Sequence, residues 1–483
     1  MKKSVTKNYI YNLSYQILIL ILPFITTPYI SRVLGAENIG IYGYTLSISA
    51  YFILFGTVGI ALYGQREIAY NQNNKKEYTK SFYEIVIFRF ITMLISILIF
   101  YNTFCVDNQY ATYYRILILE LVANCFDISW FFMGKEDFKK TVLRNLLVKI
   151  ISVICIFVFV KNADDLKAYF LIYVLSILIG NISLWLYLPK YLIKINMRSL
   201  NIFKHLKPTI SLFIPQIAIQ IYTIVDRTMI GSIINEKSEV GYYEQAQKII
   251  KMLLAVITSL GTVMMSRIAS TYVVGDKKRV NDYIYKSFNL VFVLAFPLIF
   301  GIILISSKFV PLFFGAGYDK VITLMQVISP IILFIGISNV IGTQYLLPTN
   351  RQKEFTTSVI IGAGVNIVIN LTLIWKFGAL GASIGTVIAE MMVCLMQLVF
   401  VRKEFKIKKI FMMGIKYFCV SVIMYIICYF VGIKIYSDIL SLIIQSVVGV
   451  VIYFIGLIII KDSLIMEIIG KVKNSIGFGK CGN

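Results

Sequence analysis

Long apolar runs recur along the whole chain, and they constrain its fold more than any other feature. A bilayer core takes about 20 apolar residues in each helix. Only 15% of the residues are charged, whereas a soluble domain carries about a quarter. The sequence therefore predicts an all-α polytopic membrane protein. The fourteen predicted spans cover 9–31, 39–63, 82–104, 112–134, 141–161, 167–189, 208–233, 242–266, 287–306, 321–346, 355–375, 378–400, 411–433 and 439–460.

The distribution of Lys and Arg predicts the orientation of these spans. Cytoplasmic loops of membrane proteins carry an excess of both residues. Roughly 30 of the 47 Lys and Arg residues fall in the alternate segments that would be inside, against about 8 in the outer loops. We therefore expect an even number of spans with both termini in the cytoplasm. An anionic inner leaflet explains the net charge of +23 without nucleic acid.

The ends and loops of the chain argue against several protein classes. The apolar run after Lys2, Lys3 and Lys7 is too long for a cleavable signal peptide, so it is interpreted as the first span. Short connections disfavour receptors, pumps with an attached nucleotide domain and processive sugar synthases, and no GxxxxGK[ST] loop occurs. With one histidine, His205, and no CxxC pair among seven cysteines, the sequence predicts no metal and no cofactor. The cysteines are interpreted as small core residues.

Two weak internal repeats predict two lobes. Residues 39–42 are similar to 240–243, and 137–143 to 354–360. Each match joins one span to the span six later, so the two halves would share an orientation. The predicted domains are a six-helix lobe at 1–205, a second at 206–404, and two further helices with a cytoplasmic tail at 405–483.

Several motifs resemble those of the polysaccharide repeat-unit flippases, a group within the multidrug/oligosaccharidyl-lipid/polysaccharide exporter superfamily. They are Pro28–Gly35 with Gly40–Tyr44, Gly64–Ala69, Val225–Gly231, and Phe377–Ala382 followed by Ala389–Glu390. The resemblance runs from about Asn8 to Glu404. It implies two helix bundles around a central cavity that works by alternating access in the bacterial cytoplasmic membrane.

The same resemblance implies the activity. The chain would move an undecaprenyl-pyrophosphate-linked oligosaccharide from the inner to the outer leaflet. A polymerase and a chain-length regulator of the same pathway would be its partners. H⁺ or Na⁺ would supply the driving force. The sugar and the final polymer are left open, because the motifs are specific to the family and not to one repeat unit.

Charged residues inside the eighth span predict a substrate site. Glu244, Lys248 and Lys251 are spaced i, i+4, i+7, so they lie on one helical face. Lys251 is roughly 13 Å into the span at 1.5 Å per residue, which is deep for a snorkelling side chain. A basic stripe that faces a cavity suits a pyrophosphate group. The alternative is that Glu244 and Lys248 form a pair that supports helix packing.

The fourth span carries an acidic counterpart. Glu120, Asn124 and Asp127 follow the same i, i+4, i+7 spacing and are candidates for coupling to a proton or Na⁺. Arg89 of the third span is expected at the depth of Asp127, with Lys149 of the fifth span near it. A structural salt-bridge cluster is therefore an equal alternative to an ion site.

Four further charged residues are candidates for the cavity. Arg32 ends the first span, where it would contact phosphate or sugar or would snorkel to the interface. Asp226 and Arg227 are adjacent, so they point about 100° apart and cannot share one face. Glu390 lies in the middle of the twelfth span and needs a partner from elsewhere in the fold.

Two other functions compete with the flippase. A cation-coupled drug or metabolite exporter of the same superfamily would share the fold, but its cavity should be less basic than Lys248 and Lys251 suggest. An integral-membrane polysaccharide polymerase would need catalytic residues in a long outer loop, and no predicted outer loop is long enough.

Overall fold

All regular structure in the described residues is helical, in agreement with the sequence-based prediction. The computed structural model describes the backbone of residues 5–462 and 464–466. Side chains are described from residue 22 onwards, with gaps at 138–139, 211–212, 214–216, 218–219, 221–222, 260, 262–263 and 266. Lys2, Lys3, Cys481 and most of the predicted tail lie outside the described residues.

The α-helices follow one another with short connections. In chain order they are α1 (Val5–Thr57), α2 (Ile60–Tyr70), α3 (Lys75–Phe104), α4 (Ala111–Cys125), α5 (Ser129–Gly134), α6 (Phe138–Phe159), α7 (Leu166–Trp185), α8 (Leu206–Ile233), α9 (Ser238–Val273), α10 (Lys277–Phe314), α11 (Asp319–Ile328), α12 (Ile331–Ser338), α13 (Gln352–Phe377), α14 (Ala379–Phe400), α15 (Ile407–Ile433) and α16 (Asp438–Ile459). A π-helix, Asn339–Leu346, follows α12.

Within the described part of the chain, eleven helical segments are long and apolar enough to cross a membrane. The first of them, Leu22–Tyr70, contains a non-helical kink at Gly35, where φ is +75°. The helices α8 and α9 are long but are not among the eleven. The polytopic fold is confirmed, and the count of fourteen stays a prediction.

Local signals in the sequence explain where several helices begin and end. The side chain of Asn74 accepts the backbone N–H groups of Lys76 and Glu77 at the start of α3. Asp276 caps α10 in the same way. The turn between α13 and α14 requires Gly378, whose φ of +57° is unfavourable for other residues.

Contacts divide the chain into two compact units, Met1–Gly241 and Tyr242–Asn483. In the first unit α1 packs on α3, α4, α6 and α8, and α4 packs on α7. Aromatic rings fill the junction of α2, α3 and α5, where Phe82 lies 5.7 Å from Trp130 between ring centroids. A Cβ on Gly64 would come within 2.5 Å of the Trp130 ring, so this glycine lets α2 approach α5. The predicted lobe boundaries at 205 and 404 stay a prediction.

In the second unit α13 and α14 form a tight hairpin that α11 and α12 cover. The last two helices pack on each other and on α10. The Tyr453 hydroxyl of α16 donates to the Val293 carbonyl of α10 at 2.9 Å. The Asp462 carboxylate, which follows α16, accepts from the Tyr417 hydroxyl of α15 at 2.6 Å and from Lys416 at 2.5 Å. The first bond attaches α16 to α10, and the other two join the end of α16 to α15.

The six described cysteines all carry free thiols. Cys155 is partly buried and Cys419 is exposed. The other four are buried, namely Cys105, Cys125, Cys394 and Cys428. For the buried four, the interpretation as small core residues agrees with their burial.

Candidate functional site

Glu120 forms a buried polar centre in the first unit. Its carboxylate accepts hydrogen bonds from the Ser49 hydroxyl of α1 and the Tyr173 hydroxyl of α7, both at 3.0 Å. The residue is 7% exposed. A carboxylate in an apolar helix bundle is costly, and it persists here because two neighbouring helices, α1 and α7, each bring a donor to it. This arrangement can hold a charge, or take up a proton, inside the bundle.

The fourth span is broken, so the predicted continuous acidic stripe is wrong. Helix α4 ends at Cys125 and α5 begins at Ser129, which leaves Asp127 in the gap between them. The Asp127 carboxylate accepts the backbone N–H of Ser129, the first residue of α5, at 3.0 Å. The Arg89 guanidinium donates to the Asp127 carbonyl at 3.0 Å and lies 3.7 Å from its carboxylate. The broken backbone is thus satisfied by protein groups, as a membrane interior requires.

The other two members of the predicted cluster do not join Asp127. The Asn124 amide donates to the Glu120 carbonyl of its own helix at 2.9 Å. Lys149 is exposed on α6, and among the described residues it makes no hydrogen bond or ion pair. The structure therefore brings together Arg89 and Asp127, and it separates them from Lys149.

Asp226 and Arg227 lie on α8, within the first unit. Asp226 is buried and Arg227 is half-buried, as expected for neighbours that face different directions. Both charges lie close enough to the Tyr51 hydroxyl to interact with it, and Tyr51 also bonds to Thr228. The Thr228 hydroxyl donates to the Ser47 hydroxyl of α1 at 2.9 Å. A polar face of α8 thus lies against a polar face of α1.

Arg32 is exposed on α1, one turn before the kink at Gly35. It is not an isolated charge, because it has a polar or electrostatic contact. Its exposed position is compatible with both roles that the sequence left open, which are contact with the substrate and snorkelling to the membrane interface.

The basic stripe of the eighth span lies on α9. Lys248 is half-buried and Lys251 is exposed. Because α9 begins at Ser238, Lys251 lies about 20 Å from the start of the helix. Glu244, Lys248 and Lys251 each have a polar or electrostatic contact, so none of the three is an isolated charge.

Glu390 lies on α14 in the second unit, half-buried and near the Cys394 thiol. It also makes a polar or electrostatic contact. The expectation of a partner from elsewhere in the fold stays a prediction. Close by on α14, the Thr386 hydroxyl bonds to the Tyr243 hydroxyl of α9 at 2.9 Å, and Gln247 donates to Tyr243 at 2.7 Å.

The sequence analysis did not identify a polar cluster that surrounds the single histidine. His205 is fully buried, with Nε2 2.9 Å from the Glu84 carboxylate and Nδ1 2.7 Å from the Tyr63 hydroxyl. Glu84 also accepts from Lys204 and from the Asn201 N–H. The cluster fixes the segment before α8 to α2 and α3. The one signal in the sequence was Glu84, an acidic residue near the start of the predicted third span.

Close backbone contacts explain Gly40 of a family motif and Gly241 of the internal repeat. A Cβ on Gly40 of α1 would lie 1.6 Å from the Lys237 carbonyl, and one on Gly241 would lie 2.1 Å from the Ala36 carbonyl. Lys237 is buried, and its ammonium donates to the Gly231 carbonyl at 2.6 Å. Burial lowers the pKa of Lys237. The turn between α8 and α9 therefore packs directly on the backbone of α1.

The second unit holds a polar cavity of about 430 Å³ where the ends of α9, α10, α13 and α14 meet. Arg351 crosses it, bonded to Glu354 at 2.9 Å and to Glu404 at 3.1 Å. The hydrogen bond to Glu354 raises the pKa of Arg351. No cluster of His, Cys, Asp and Glu that could hold a metal ion occurs in the described part of the chain.

Comparisons with known proteins find related sequences. A family model described as "Polysaccharide biosynthesis protein" matches residues 5–272, and one described as "MatE" matches residues 212–372. A putative O-antigen transporter of Escherichia coli is 29% identical over 83% of this chain and 98% of its own length. A putative O-antigen transporter of Shigella dysenteriae is 23% identical over 78% and 94%.

Solved structures share the fold. The lipid II flippase MurJ in an inward closed conformation superposes with a TM-score of 0.78 at 20% identity, covering 95% of this chain and all of that one. An inward-facing multidrug transporter of the MATE family gives a TM-score of 0.64 at 14% identity, covering 84% and 98%. At these identities the likeness shows the fold alone.

Proposed function

Because the chain belongs to the polysaccharide biosynthesis protein family, we propose that it is a flippase for lipid-linked oligosaccharides of surface polysaccharide synthesis. It is a multi-pass membrane transporter and not an enzyme. The observation that carries the proposal is the polar face inside the first unit, where Glu120, Asp226 and Arg227 lie among apolar helices. Intramembrane charges of this kind mark substrate and ion pathways.

The substrate would be an undecaprenyl-pyrophosphate-linked repeat unit, moved by alternating access from the inner to the outer leaflet, with both termini in the cytoplasm. Arg32, Arg227, Lys248 and Lys251 would hold the pyrophosphate. Support comes from the exposure of Lys251 deep along α9 and from the half-buried positions of Lys248 and Arg227. Cationic side chains bind phosphate oxygens through charge-assisted hydrogen bonds. The lipid tail would stay in the bilayer while the sugars pass through the cavity.

Coupling to H⁺ or Na⁺ would run through Glu120 in preference to Asp127. Asp127 is already engaged by Arg89 and by a helix N-terminus. Glu120 accepts only neutral hydroxyl donors in the bonds described for it, so its charge is not cancelled by a paired cation. Asp226 and Glu390 would line the cavity, and Asn124 would support α4.

The experiment measures export in a host that lacks its own flippase and makes one defined repeat unit. Lys248→Ala and Lys251→Ala should each lower polysaccharide export at least tenfold, with lipid-linked repeat units accumulating on the inner leaflet. Lys194→Ala, which removes an exposed lysine from the segment before α8, is the matched control and should export normally. Normal export by both single variants and the double variant would reject the pyrophosphate site, and accumulation on the outer leaflet would reject the flippase.

The match of residues 212–372 to the MatE model favours one other function, a cation-coupled exporter of small molecules. Proteoliposomes distinguish the two. The flippase should expose a fluorescent lipid-linked oligosaccharide to a membrane-impermeant quencher, whereas the exporter should accumulate a cationic dye and leave the lipid protected.

A further inference from the structure

The start of α15 forms a strongly basic surface, which we call the α15 patch. Four lysines and two methionines line a cavity of about 470 Å³ there: Lys406, Lys408, Lys409, Met412, Met413 and Lys416. The surface lies wholly in the second unit and is separate from the polar face described above. No part of the proposed flippase function depends on it.

The charge of the α15 patch is only partly neutralised. Lys416 is paired with Asp462, which is buried and also accepts the Tyr417 hydroxyl. Lys406, Lys408 and Lys409 have no acidic partner among the described residues. Three positive charges therefore remain within four residues, and an anion would relieve their mutual repulsion.

One of the three lysines is held in place by α10. The Lys409 ammonium lies 4.1 Å from the centroid of the Tyr285 ring. The Tyr285 hydroxyl in turn accepts the backbone N–H of Lys406 at 3.2 Å. A cation over an aromatic face loses less freedom when it binds a ligand. The patch is thus a supported surface and not a set of independent flexible lysines.

An apolar track leads away from the patch along the same helix. Phe411, Ile415 and Phe418 are exposed and spaced i, i+4, i+7, so they lie on one face of α15. A ligand that matches both parts has an anionic head and an apolar chain. Soluble phosphates match only the first part.

We propose that the α15 patch binds one anionic phospholipid, with its phosphate on Lys406, Lys408 and Lys409 and an acyl chain along Phe411, Ile415 and Phe418. The phospholipid belongs to the surrounding leaflet and is not the transported substrate. Lysines near a membrane surface contribute about fivefold each in affinity for anionic lipid. Bound there, the lipid joins α15 to α10 through the Tyr285 contact.

Native mass spectrometry of the full purified chain tests the proposal. The probes are phosphatidylglycerol and phosphatidylcholine with identical acyl chains. The wild type should retain one phosphatidylglycerol at least tenfold more strongly than phosphatidylcholine. The variant Lys406→Gln/Lys408→Gln/Lys409→Gln should lose most of this preference. The corresponding triple arginine variant should keep it, which also shows that changes at these positions leave the protein folded.

A matched control removes the same charge elsewhere. Lys75→Gln/Lys76→Gln/Lys80→Gln neutralises three lysines in the first turns of α3, where Glu77 lies among them. Its lipid preference should equal that of the wild type. An undiminished preference in the α15 glutamine variant, or an equal loss in the α3 control, would overturn the proposal. Displacement of phosphatidylglycerol by millimolar glycerol 3-phosphate would overturn it as well, because the site would then recognise a soluble phosphate.

Discussion

The Nε2 atom of His205 lies 2.9 Å from the carboxylate of Glu84, although 121 positions separate the two residues. Both side chains are fully buried. Through this contact the segment that enters α8 is attached to α3, and the Asn201 N–H and the Lys204 ammonium reinforce it at the same carboxylate. The arrangement has no counterpart in any recognisable sequence motif, yet it yields a direct prediction about pH.

We expect His205 to make stability depend on pH. Burial lowers the pKa of His205 below its ordinary value, although the hydrogen bond to Glu84 opposes the shift. The unfolded chain therefore binds a proton below about pH 6.5 while the folded chain does not. The contribution of neutral His205 to the free energy of unfolding should be fully present above that pH. It should decrease as the pH drops towards the lower pKa of the folded state. Thermal unfolding in detergent between pH 5.5 and 8 measures it.

The matching variant is His205→Gln. The chain has one histidine, so the slope between pH 5.5 and 6.5 should largely vanish in the variant. The variant should also unfold at a lower temperature at pH 8, because Glu84 and Tyr63 each lose a buried partner. An identical slope in both proteins would assign the pH dependence to other groups.

Adding one methyl group at Gly40 should disrupt the contact between α1 and the turn before α9. In Gly40→Ala the new Cβ meets the Lys237 carbonyl, and backbone cannot move aside as a side chain would. Overpacking of this kind costs about 1–3 kcal/mol. We expect a lower unfolding temperature together with reduced export. Gly364→Ala on α13 is the control, since no atom lies within 4 Å of its Cβ position, and it should behave as the wild type.

Two acidic residues of the predicted fourth span should respond differently to neutralisation. Glu120→Gln should remove the dependence of transport on the ion gradient, because the neutral amide cannot bind H⁺ or Na⁺ as the carboxylate would. Asp127→Asn should keep that dependence, since the amide oxygen can still accept the Ser129 N–H, but it should lower stability because Arg89 loses its counter-charge. Transport in vesicles with imposed H⁺ and Na⁺ gradients tests both. The reverse pattern would place the coupling site at Asp127.

Removing Asp462 should loosen the C-terminal helices. Burial alone would raise the pKa of Asp462, but hydrogen bonds from Lys416 and Tyr417 lower it below its ordinary value. Its contribution to stability is therefore present above about pH 4 and is lost as the pH falls through the pKa of the folded state. Asp462→Ala should cost about 3 kcal/mol, the lower end for a broken buried pair, because Lys416 is partly exposed.

The control for this prediction is Asp438→Ala at the exposed start of α16, where we expect little change. Chemical unfolding followed by the fluorescence of a dye on the C-terminal helices would report the difference. Equal stability of the two variants would show that the bonds to Lys416 and Tyr417 contribute nothing.

The sequence predicted the helical class because apolar length is a property of each segment alone. It also singled out Glu120, since an acid in an apolar run needs no knowledge of its neighbours to be unusual. It failed at Asp127, where a helical spacing hid a break. The contact of Arg89 with Asp127 was among the expectations, whereas the break between α4 and α5 was not, because helical spacing does not show where a helix ends.

His205 is a second residue whose environment local sequence could not predict. It lies between Lys204 and Lys207, in the connection that the predicted spans leave at 190–207. The structure buries it because Glu84 and Tyr63, from two different helices, supply an acceptor and a hydroxyl. For Lys248, Lys251 and Glu390 the roles inferred from the sequence stay predictions, because their contacts depend on the packing of α9 and α14.

The burial of the cysteines makes thiol labelling a practical route to the topology. Cys105, Cys125, Cys394 and Cys428 are closed to a water-soluble maleimide, and burial also raises the pKa of the Cys105 thiol, which suppresses the reactive thiolate. Once Cys155, Cys419 and Cys481 are replaced by serine, a cysteine introduced at an exposed position such as Ser199 or Asp438 should supply most of the signal. Labelling intact cells with and without permeabilisation would then assign each connection to one side of the membrane and count the spans directly.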